Sequence, residues 1–485
     1  MVDVAVVGSG PNGLAAALTM ARAGLSVVVH EAAGSAGGGT RTAELTLPGF
    51  RHDVCSAVHP MALASPFFRA FGLADRIELL VPEISYGHPL DGGRAGIAYR
   101  DLDHTVEALG VDGRAWRSLM EPLLDRIDGV IDFTQNNLVR FPRDPLAAVS
   151  YGLRALEQGT PAWKLRFREQ MAPAMLTGVA AHAITRLPSL AASGAGLLLG
   201  ALAHGGGWPV PRGGSQAIAE AMAADLMEHG GAIVLDSPVT SIAALRAETG
   251  ARAIICDLTP RALARLGTDE LPDRYIRKLE SFKYGAGVCK VDFALSGPVP
   301  WTHKELRRAP TVHLGGSREA IAQAENQVLA GGYPEAPYVL ASQPGVLDSS
   351  RAPAGQHTLW AYTHVPAGST RDRSKAVIAQ VERFAPGFRE LILETHTSTA
   401  EDVGMHNPNY IDGDISSGAV TLEQLIKRPV VAREPWRTPA PGLYLGSAAT
   451  PPGPAVHGMG GWFAARSALR HTFGLPAPHL GPASS

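Results

Sequence analysis

A glycine-rich turn near the start of the chain joins a short β-rich run to a helix-forming run. Residues 8–13 read Gly-Ser-Gly-Pro-Asn-Gly, which fits the pattern G-x-G-x-x-G. Residues 2–8 are mostly apolar and β-branched, and residues 13–23 are strong helix formers that end at Gly24. A second β-rich run at 26–30 completes a strand–helix–strand unit. The pattern is weak alone, but in this setting it predicts an α/β fold with a Rossmann-type dinucleotide-binding unit.

Each position of this turn has a physical role in holding a pyrophosphate. Gly8 permits the tight turn, Gly10 lets the backbone approach the phosphates, and Gly13 lets the helix pack closely on the strand. Pro11 and Asn12 open the helix, whose free N–H groups and positive dipole end attract phosphate. We therefore assign these five residues to cofactor binding.

The segment after the second strand distinguishes between two cofactors that share this turn. Glu31 ends the strand, where a carboxylate accepts hydrogen bonds from ribose hydroxyls. Residues 37–41 then read Gly-Gly-Gly-Thr-Arg, a turn whose N–H groups and arginine reach the phosphates and flavin of FAD, and which NAD does not need. The sequence therefore favours FAD, with further contacts from Gly38, Gly39, Thr40 and Arg41.

A third glycine-rich segment lies near the end of the chain. Residues 442–449 form a short apolar run that ends in small residues, including Gly446 and Ser447. Residues 457–461 read His-Gly-Met-Gly-Gly and open a last helix, predicted over 461–473. A helix N-terminus beside the flavin would stabilise the negative charge that reduction places there. We assign the following residues to FAD as well: Gly446, Ser447, Gly458, Met459 and Gly460.

Composition and charge exclude several classes of protein. The net charge is −2 over 485 residues and no long basic run occurs, so we expect no nucleic-acid partner. The three cysteines, Cys55, Cys256 and Cys289, are far apart and form no C-x-x-C, so we expect neither a disulfide framework nor a metal site. This cysteine usage is typical of a reducing cytoplasm.

One long uncharged stretch allows three interpretations. Residues 189–203 are almost all small or aliphatic, but their apolar part is shorter than the roughly 20 residues that span a bilayer. A buried helix is the simplest interpretation. The alternatives are a wall of an apolar substrate tunnel and a surface that docks on a membrane, so peripheral membrane contact stays open.

Three segments together resemble the phytoene desaturase-like flavoproteins, within the broader amine-oxidase and desaturase superfamily. They are residues 1–41, residues 211–218 and residues 446–461. Residues 47–60 and 406–415 resemble the branch that contains carotenoid ketolase-type, retinol saturase-type and pyridine nucleotide-disulfide oxidoreductase domain 2-type proteins.

The resemblance implies a fold and one further contact. It implies that Val239 lies by the adenine, whereas Ser447 departs from the acidic residue common after Gly446. Disulfide chemistry is not expected, because the chain lacks paired cysteines.

The family architecture implies a Rossmann-type FAD-binding domain interleaved with an α+β substrate domain. Residues 70–205 are predicted to be mostly helical, with strands near 232–235, 239–242 and 253–256. The expected segments are 1–79, 206–284 and 431–475 for FAD, 80–205 (helical) and 285–430 (sheet) for the substrate, and a tail at 476–485.

The leading hypothesis is hydride transfer from a C–H bond of an apolar substrate, such as a polyene, isoprenoid or lipid, to flavin N5. A base takes the proton and a C=C bond forms. The candidate bases are His59, His406 and His457, with Asp53, Asp412 and Asp414 behind them. No second dinucleotide turn is found, so oxygen, a quinone or another diffusible acceptor would reoxidise the flavin, unless the reaction is an isomerisation.

Two alternatives stay open. An amine oxidase on the same fold would line the flavin with aromatic side chains, for which Trp208, Trp436, Tyr444 and Trp462 are candidates, although core packing explains them equally well. A protein that holds FAD for structural or membrane-associated partnership without turnover is the third hypothesis.

Overall fold

The computed structural model describes residues 1–481. Its strands are β1 Val4–Val7, β2 Val27–His30, β3 Thr42–Glu44, β4 Arg51–Asp53, β5 Leu79–Leu80, β6 Ile84–Leu90, β7 Arg94–Tyr99, β8 Val210–Pro211, β9 Ala232–Val234, β10 Ala253–Cys256, β11 Gly287–Leu295, β12 Thr311–Leu314, β13 Val339–Ser342, β14 His357–Val365, β15 Ile392–Ser398 and β16 Leu443–Leu445.

The helices lie between these strands or follow the last of them. They are α1 Pro11–Arg22, α2 Met61–Ala64, α3 Pro66–Phe71, α4 Leu73–Arg76, α5 Leu102–Ala108, α6 Gly113–Leu124, α7 Ile127–Thr134, α8 Pro145–Gln158, α9 Met171–Ala180, α10 Leu190–Gly205, α11 Gln216–Glu228, α12 Ile242–Thr249, α13 Pro260–Leu266, α14 Asp273–Glu280, α15 Arg318–Leu329, α16 Ser374–Phe384, α17 Ala400–His406, α18 Leu422–Ile426 and α19 Met459–Ala468. Helices α5 to α10 follow one another without a strand between them.

A five-stranded parallel sheet carries the glycine-rich turn. Its strand order is β16-β10-β1-β2-β9, with every pair parallel. The central strands β1 and β10 are buried along their whole length, because helices cover both faces. The strand–helix–strand unit predicted from residues 2–30 is therefore confirmed, and three separate parts of the chain complete its sheet.

Helices α1 and α19 cross at unusually close range on one face of this sheet. A Cβ added at Gly461 would overlap the carbonyl oxygen of Asn12, and one at Gly13 would overlap that of Gly8. Only glycine fits at such contacts between backbones. The Asn12 side chain also accepts a hydrogen bond from the Gly461 N–H at 3.4 Å, so the N-termini of the two helices lie side by side.

A second, seven-stranded sheet packs beside the first. Its order is β15-β11-β14-β13-β12-β6-β7, antiparallel except for the pair β12–β6. Helices α9 and α10 contact β6 and β7, while α16 contacts β11 and β14. This sheet receives strands from both 80–205 and 285–430, and together with these helices it forms the α+β region that the resemblance implied.

Three local predictions differ from the structure. Residues 84–99, predicted within a mostly helical region, form the hairpin β6–β7, whose Asp-Gly-Gly turn at 91–93 is a hairpin signal. Residues 239–242 are not a strand, because Ser241 caps helix α12 by accepting from the Ala244 N–H. The last helix begins at Met459, two residues before the predicted start, and an irregular helical turn continues it through residues 469–473.

The uncharged stretch at 189–203 becomes helix α10, most of which is buried. Within residues 1–481, no helix has both the length and the apolar character needed to cross a membrane. In the predicted tail, Leu480 is buried and the Gly481 carbonyl accepts a hydrogen bond from Arg22 at 3.0 Å, so residues 480–481 pack on the body of the protein. Residues 482–485 lie outside the described part.

Candidate functional site

A cavity of about 770 Å³ extends from the glycine-rich turn to the seven-stranded sheet. We call its two parts the dinucleotide end and the sheet end. The dinucleotide end is lined by residues 7–12, 30–33, 38–41, 237–239 and 257–266 where the chain faces the cavity. The sheet end is lined by Val58, Met61, Gln135, His182, Ala183, Ile184, Ala195, Leu198, Leu199, Trp208, Thr311, Leu340, Trp360 and Tyr362.

The dinucleotide end is a cradle that any side chain would fill. A Cβ at Gly10 would lie 2.5 Å from Asp257 Oδ2, and one at Gly38 would lie 3.0 Å from the Gly10 Cα. Gly8 and Gly38 have φ values of 95° and 53°, which favour glycine. Helix α1 begins immediately after Gly10, which has no side chain to cap it, and in its first turn the Gly13 N–H donates to Asp257 at 2.9 Å. The helix N-terminus and the bare backbone around it fit the pyrophosphate of a dinucleotide.

Glu31 lies where strand β2 ends, as the sequence predicted. One carboxylate oxygen accepts hydrogen bonds from the Ser9 N–H at 2.8 Å and the Ser9 hydroxyl at 2.6 Å. The other accepts from the Ala33 N–H at 2.9 Å. The carboxylate is thereby fixed on the cavity wall beside the turn, in a place suited to ribose hydroxyls.

Arg41 places a cation on the same wall. Its Nε donates to the Gly38 carbonyl at 3.0 Å, and its Nη2 contacts His406 Nε2 at 2.7 Å. An arginine side chain can only donate hydrogen bonds, so His406 Nε2 must be the unprotonated nitrogen that accepts. Burial, followed by the charge of Arg41, lowers the pKa of His406 to about 4. The lone pair of His406 therefore holds Arg41, and the geometry gives no support to His406 as a base.

The cavity lining divides the predicted cofactor residues into two groups. Those that line it are Gly8, Gly10, Pro11, Asn12, Glu31, Gly38, Gly39, Arg41, Val239 and Ser447. Those that lie behind the wall are Gly13, Thr40, Gly446, Gly458, Met459 and Gly460. Close packing explains this second group: a Cβ at Gly446 would approach Ala464 to 2.7 Å, and one at Gly460 would approach the Ser447 carbonyl to 2.7 Å.

Asp257 is a lining residue that the sequence analysis missed. It follows the buried strand β10, and its Oδ2 accepts from the Gly13 N–H at 2.9 Å. Burial, and then the nearby charge of Glu31, raises the pKa of Asp257 to about 7. The sequence does contain a sign of this role, because Asp257 is an acid directly after a strand, and ligands in parallel-sheet folds bind at the carboxyl ends of strands.

We expect Asp257 to make the protein less stable as the pH rises. An unfolded aspartate loses its proton near 3.8, whereas the folded group keeps it up to about 7, so the folded protein binds more protons in between. The free energy of unfolding therefore falls as the pH rises through this window, with the loss complete above the folded pKa. Asp257→Asn should flatten that slope in urea unfolding of the holoprotein between about pH 4 and about pH 8.

The exposed Asp269→Asn is the matched control for this measurement, and it should leave the slope unchanged. A slope that survives Asp257→Asn would assign the pH dependence to another group.

His59 and His457 have different environments. The Ser215 hydroxyl donates to the Ser56 carbonyl at 2.6 Å, so His59 Nε2 must donate to that hydroxyl across 2.7 Å. His59 Nδ1 then carries the lone pair and is buried without a hydrogen-bond partner in residues 1–481, and His59 is one of the residues that line the cavity. His457, by contrast, uses both ring nitrogens on the backbone at Gly453 and Met459 and does not line the cavity.

The sheet end differs in chemistry from the dinucleotide end. The charged residues that line the cavity are Glu31, Arg41, Asp257 and Arg265, all at the dinucleotide end. The sheet end consists of aliphatic and aromatic side chains, with polar atoms on Gln135, His182, Trp208, Thr311, Trp360 and Tyr362. Of the aromatic candidates from the sequence, Trp208 lines the cavity, whereas Trp436, Tyr444 and Trp462 pack in or against the core around the parallel sheet.

A parallel sheet whose carboxyl edge forms a bare backbone cradle with an acid and a cation beside it defines a dinucleotide-binding fold. The sequence profile of the family described as "Flavin containing amine oxidoreductase" matches residues 12–466. The chain belongs to this family, and its cofactor is FAD, as the glycine-rich segments predicted.

The chain is also similar to individual known proteins. It is 23% identical to rat (Rattus norvegicus) pyridine nucleotide-disulfide oxidoreductase domain-containing protein 2 over 96% of this chain and 93% of that protein. It is 32% identical to a component of the limonene dehydrogenase of Castellaniella defragrans, over 22% of this chain and 19% of that one. A triple mutant of putrescine oxidase has a similar fold, with a TM-score of 0.60 at 19% identity, over 97% of this chain and 98% of that one.

The resemblance inferred from the sequence motifs is thus confirmed for the superfamily and for the branch that includes the rat protein. All three cysteines of this chain are unpaired, and Cys256 and Cys289 are buried. The disulfide in the name of that relative has no counterpart among the cysteines here.

Proposed function

We propose that this protein removes a hydride and a proton from adjacent C–H bonds of an apolar substrate, a polyene, an isoprenoid or another lipid, and forms a C=C bond. An isomerisation of the same substrates uses the same first step. One observation carries the proposal, namely that no lysine, arginine, aspartate or glutamate lines the sheet end of the cavity.

The free energy of binding at the sheet end favours an apolar substrate over a charged one. Each Å² of apolar surface removed from water stabilises a complex by about 25 cal/mol, so a long hydrocarbon needs no ion pair to bind. A cation moved into the same wall would lose its hydration and gain no carboxylate in return. The buried Lys290 is paired with Asp292, and its ammonium lies 5.6 Å from the centre of the Trp360 ring.

His59 is the candidate for proton acceptance. FAD, when bound, supplies the hydride acceptor. His59 is held in one tautomer by Ser215, so its Nδ1 carries the lone pair, and burial lowers the pKa of His59 to about 4, which keeps the ring neutral. A neutral ring beside the cavity does not repel a hydrocarbon.

Two further considerations support the proposal. The name of the limonene dehydrogenase gives limonene, a hydrocarbon, as the substrate of that enzyme, and this chain is similar to part of one of its components. The chain also has a single dinucleotide turn of the required form, at residues 8–13, which leaves oxygen or a quinone as the acceptor that reoxidises the flavin.

Anaerobic mixing tests the proposed substrate class. We expect the yellow flavin absorbance to bleach with polyenes, isoprenoids or unsaturated lipids, and to persist with NADH, NADPH and small amines. His59→Gln should slow bleaching by about 100-fold, the usual contribution of a general base, while leaving the FAD content intact. Bleaching by small amines alone would overturn the proposal, and no bleaching by any class would support a role in binding without turnover.

A second candidate function, amine oxidation, rests on one pair of aromatic side chains. Trp360 and Tyr362 both line the sheet end, as flavin-facing aromatics of an amine oxidase would. Their rings meet edge to face, with centroids 5.1 Å apart and planes at 82°, so they pack on each other. A substrate does not fit between rings in contact, and for this reason we rank the amine below the hydrocarbon.

A further inference from the structure

Helix α8 has two apolar faces, and only one of them is covered. Its inner face, Ala147, Tyr151, Ala155 and Gln158, is buried, and the Tyr151 hydroxyl donates to the Gly194 carbonyl of α10 at 2.7 Å. Leu146, Val149, Leu153 and Leu156 follow the spacing of a single helix face and are exposed by 62%, 58%, 62% and 52%.

Neighbouring segments extend this exposed face into a surface. Val139, Phe141 and Leu165 are exposed by 45%, 82% and 85%. Val431 is exposed by 59%, and its neighbours Ala432 and Arg433 accept hydrogen bonds from the Asn137 side chain, which ties the two segments together. We use the name outer apolar surface for these eight residues: Val139, Phe141, Leu146, Val149, Leu153, Leu156, Leu165 and Val431. Exposed apolar side chains that gather in neighbouring segments are typical of interaction sites.

The charge around the outer apolar surface selects its partner. The neighbouring acids Asp132, Asp144 and Glu157 are paired with Arg140, Arg126 and Arg166, and Asp132 also lies 3.7 Å from the exposed Arg143. In residues 139–169 and 431–433, the other exposed cations are Lys164, Arg168 and Arg433, against one exposed carboxylate, Glu169. An apolar surface with a basic border fits a membrane with anionic headgroups.

A second copy of the chain fits less well. A two-fold interface brings the same surface of both copies together, so the basic border of one copy would lie against the basic border of the other. Like charges across such an interface are destabilising.

Two structural links connect the outer apolar surface with the sheet end of the cavity. Gln135 lines the cavity, and four residues later Val139 is exposed. Helix α10, which α8 covers, contributes Ala195, Leu198 and Leu199 to the cavity wall. The outer apolar surface and the apolar sheet end of the cavity are therefore connected through α8 and α10.

We propose that the outer apolar surface docks this protein on an anionic lipid bilayer, from which an apolar substrate reaches the sheet end of the cavity. The contact is peripheral, and it is made by α8 rather than by residues 189–203, which the fold buries as α10. Docking goes beyond the proposed reaction, because it is measured without substrate or turnover.

Vesicle flotation of the full-length holoprotein tests the docking. We expect binding to vesicles of equal parts phosphatidylcholine and phosphatidylglycerol, weaker binding to phosphatidylcholine alone, and loss of the difference at high salt. The double variant Leu146→Ser with Leu153→Ser should lower the partition coefficient by about tenfold to a hundredfold, because two exposed leucines no longer enter the bilayer. Arg143→Gln with Lys164→Gln should lower only the part that depends on anionic lipid.

The matched control is Leu329→Ser with Leu393→Ser, at two leucines exposed by 44% each outside the outer apolar surface. It should bind like the unchanged protein, and all variants should keep their FAD content and melting temperature. Absence of binding to anionic vesicles, equal binding by the Leu146 and Leu153 variant, or equal binding to both vesicle types would overturn the proposal. A fall in oligomer mass with unchanged vesicle binding would instead assign the surface to a second copy.

Discussion

Gly10→Val should yield colourless protein, with FAD content at least tenfold below that of the unchanged chain. A Cβ at this position would lie 2.5 Å from Asp257 Oδ2, and the two methyl groups of valine would extend into the space that the backbone leaves for the pyrophosphate. The substitution acts on the cavity rather than the core, because Gly10 lines the cavity. Absorbance of the purified protein and release of FAD on denaturation measure the effect.

Gly152→Ala is the control for replacing a glycine, since nothing lies within 4 Å of a Cβ at that position on helix α8. It should leave FAD content unchanged and raise helix stability slightly. A fully loaded yellow Gly10→Val protein would show that FAD binds elsewhere. A protein that loses both FAD and its cooperative unfolding would be resolved with Gly10→Ala, where FAD loss with a retained fold is the expected result.

The dinucleotide end was predictable because its contacts are local in sequence. The turn at 8–13, Glu31 and Arg41 all lie within 41 residues, and each acts mainly through backbone geometry that a short motif encodes. The match to the flavin-containing family confirms that the cofactor is FAD. Asp257 was missed because it comes from β10, which joins β1 only in the folded sheet.

The sheet end was not predictable from the sequence, because no local pattern marks it. Strand β14 is buried on both faces: Leu359 and Ala361 pack in one core cluster, and Trp360 and Tyr362 pack in another. A strand buried on both sides has no alternation of polar and apolar residues, so nothing showed which side chains face a cavity. His182 and Thr311 reach the same wall from segments that are far apart in the chain.

The histidines show the limit of motif-based assignment. His406 and His457 lie in segments that resemble the family, yet the structure uses them to hold Arg41 and to begin helix α19. His59 keeps a free nitrogen only because Ser215 already donates its single proton to Ser56. The difference between His59 and the other two histidines depends on the hydrogen bond from Ser215 to Ser56, which are 159 residues apart, and no sequence motif reveals such a contact.

Leu199→Asp should lower kcat/KM for an apolar substrate by about 100-fold or more without loss of FAD. Leu199 lines the sheet end and is only half-buried, so the fold tolerates the change better than it would in the core. A carboxylate there has no cation on the surrounding wall, and its desolvation by a hydrocarbon costs several kcal/mol, against about 1.4 kcal/mol for each factor of ten.

The charge, rather than the shape, should carry most of this effect. Leu199→Asn has nearly the shape of the aspartate and no charge, so it should lose only about tenfold, and Leu199→Met should stay close to the unchanged protein. Because an apolar wall raises the pKa of a carboxyl group, the Asp variant should recover activity as the pH falls, whereas the Asn variant should not. If all three variants still oxidised a small hydrophilic amine efficiently, the cavity would belong to an amine oxidase.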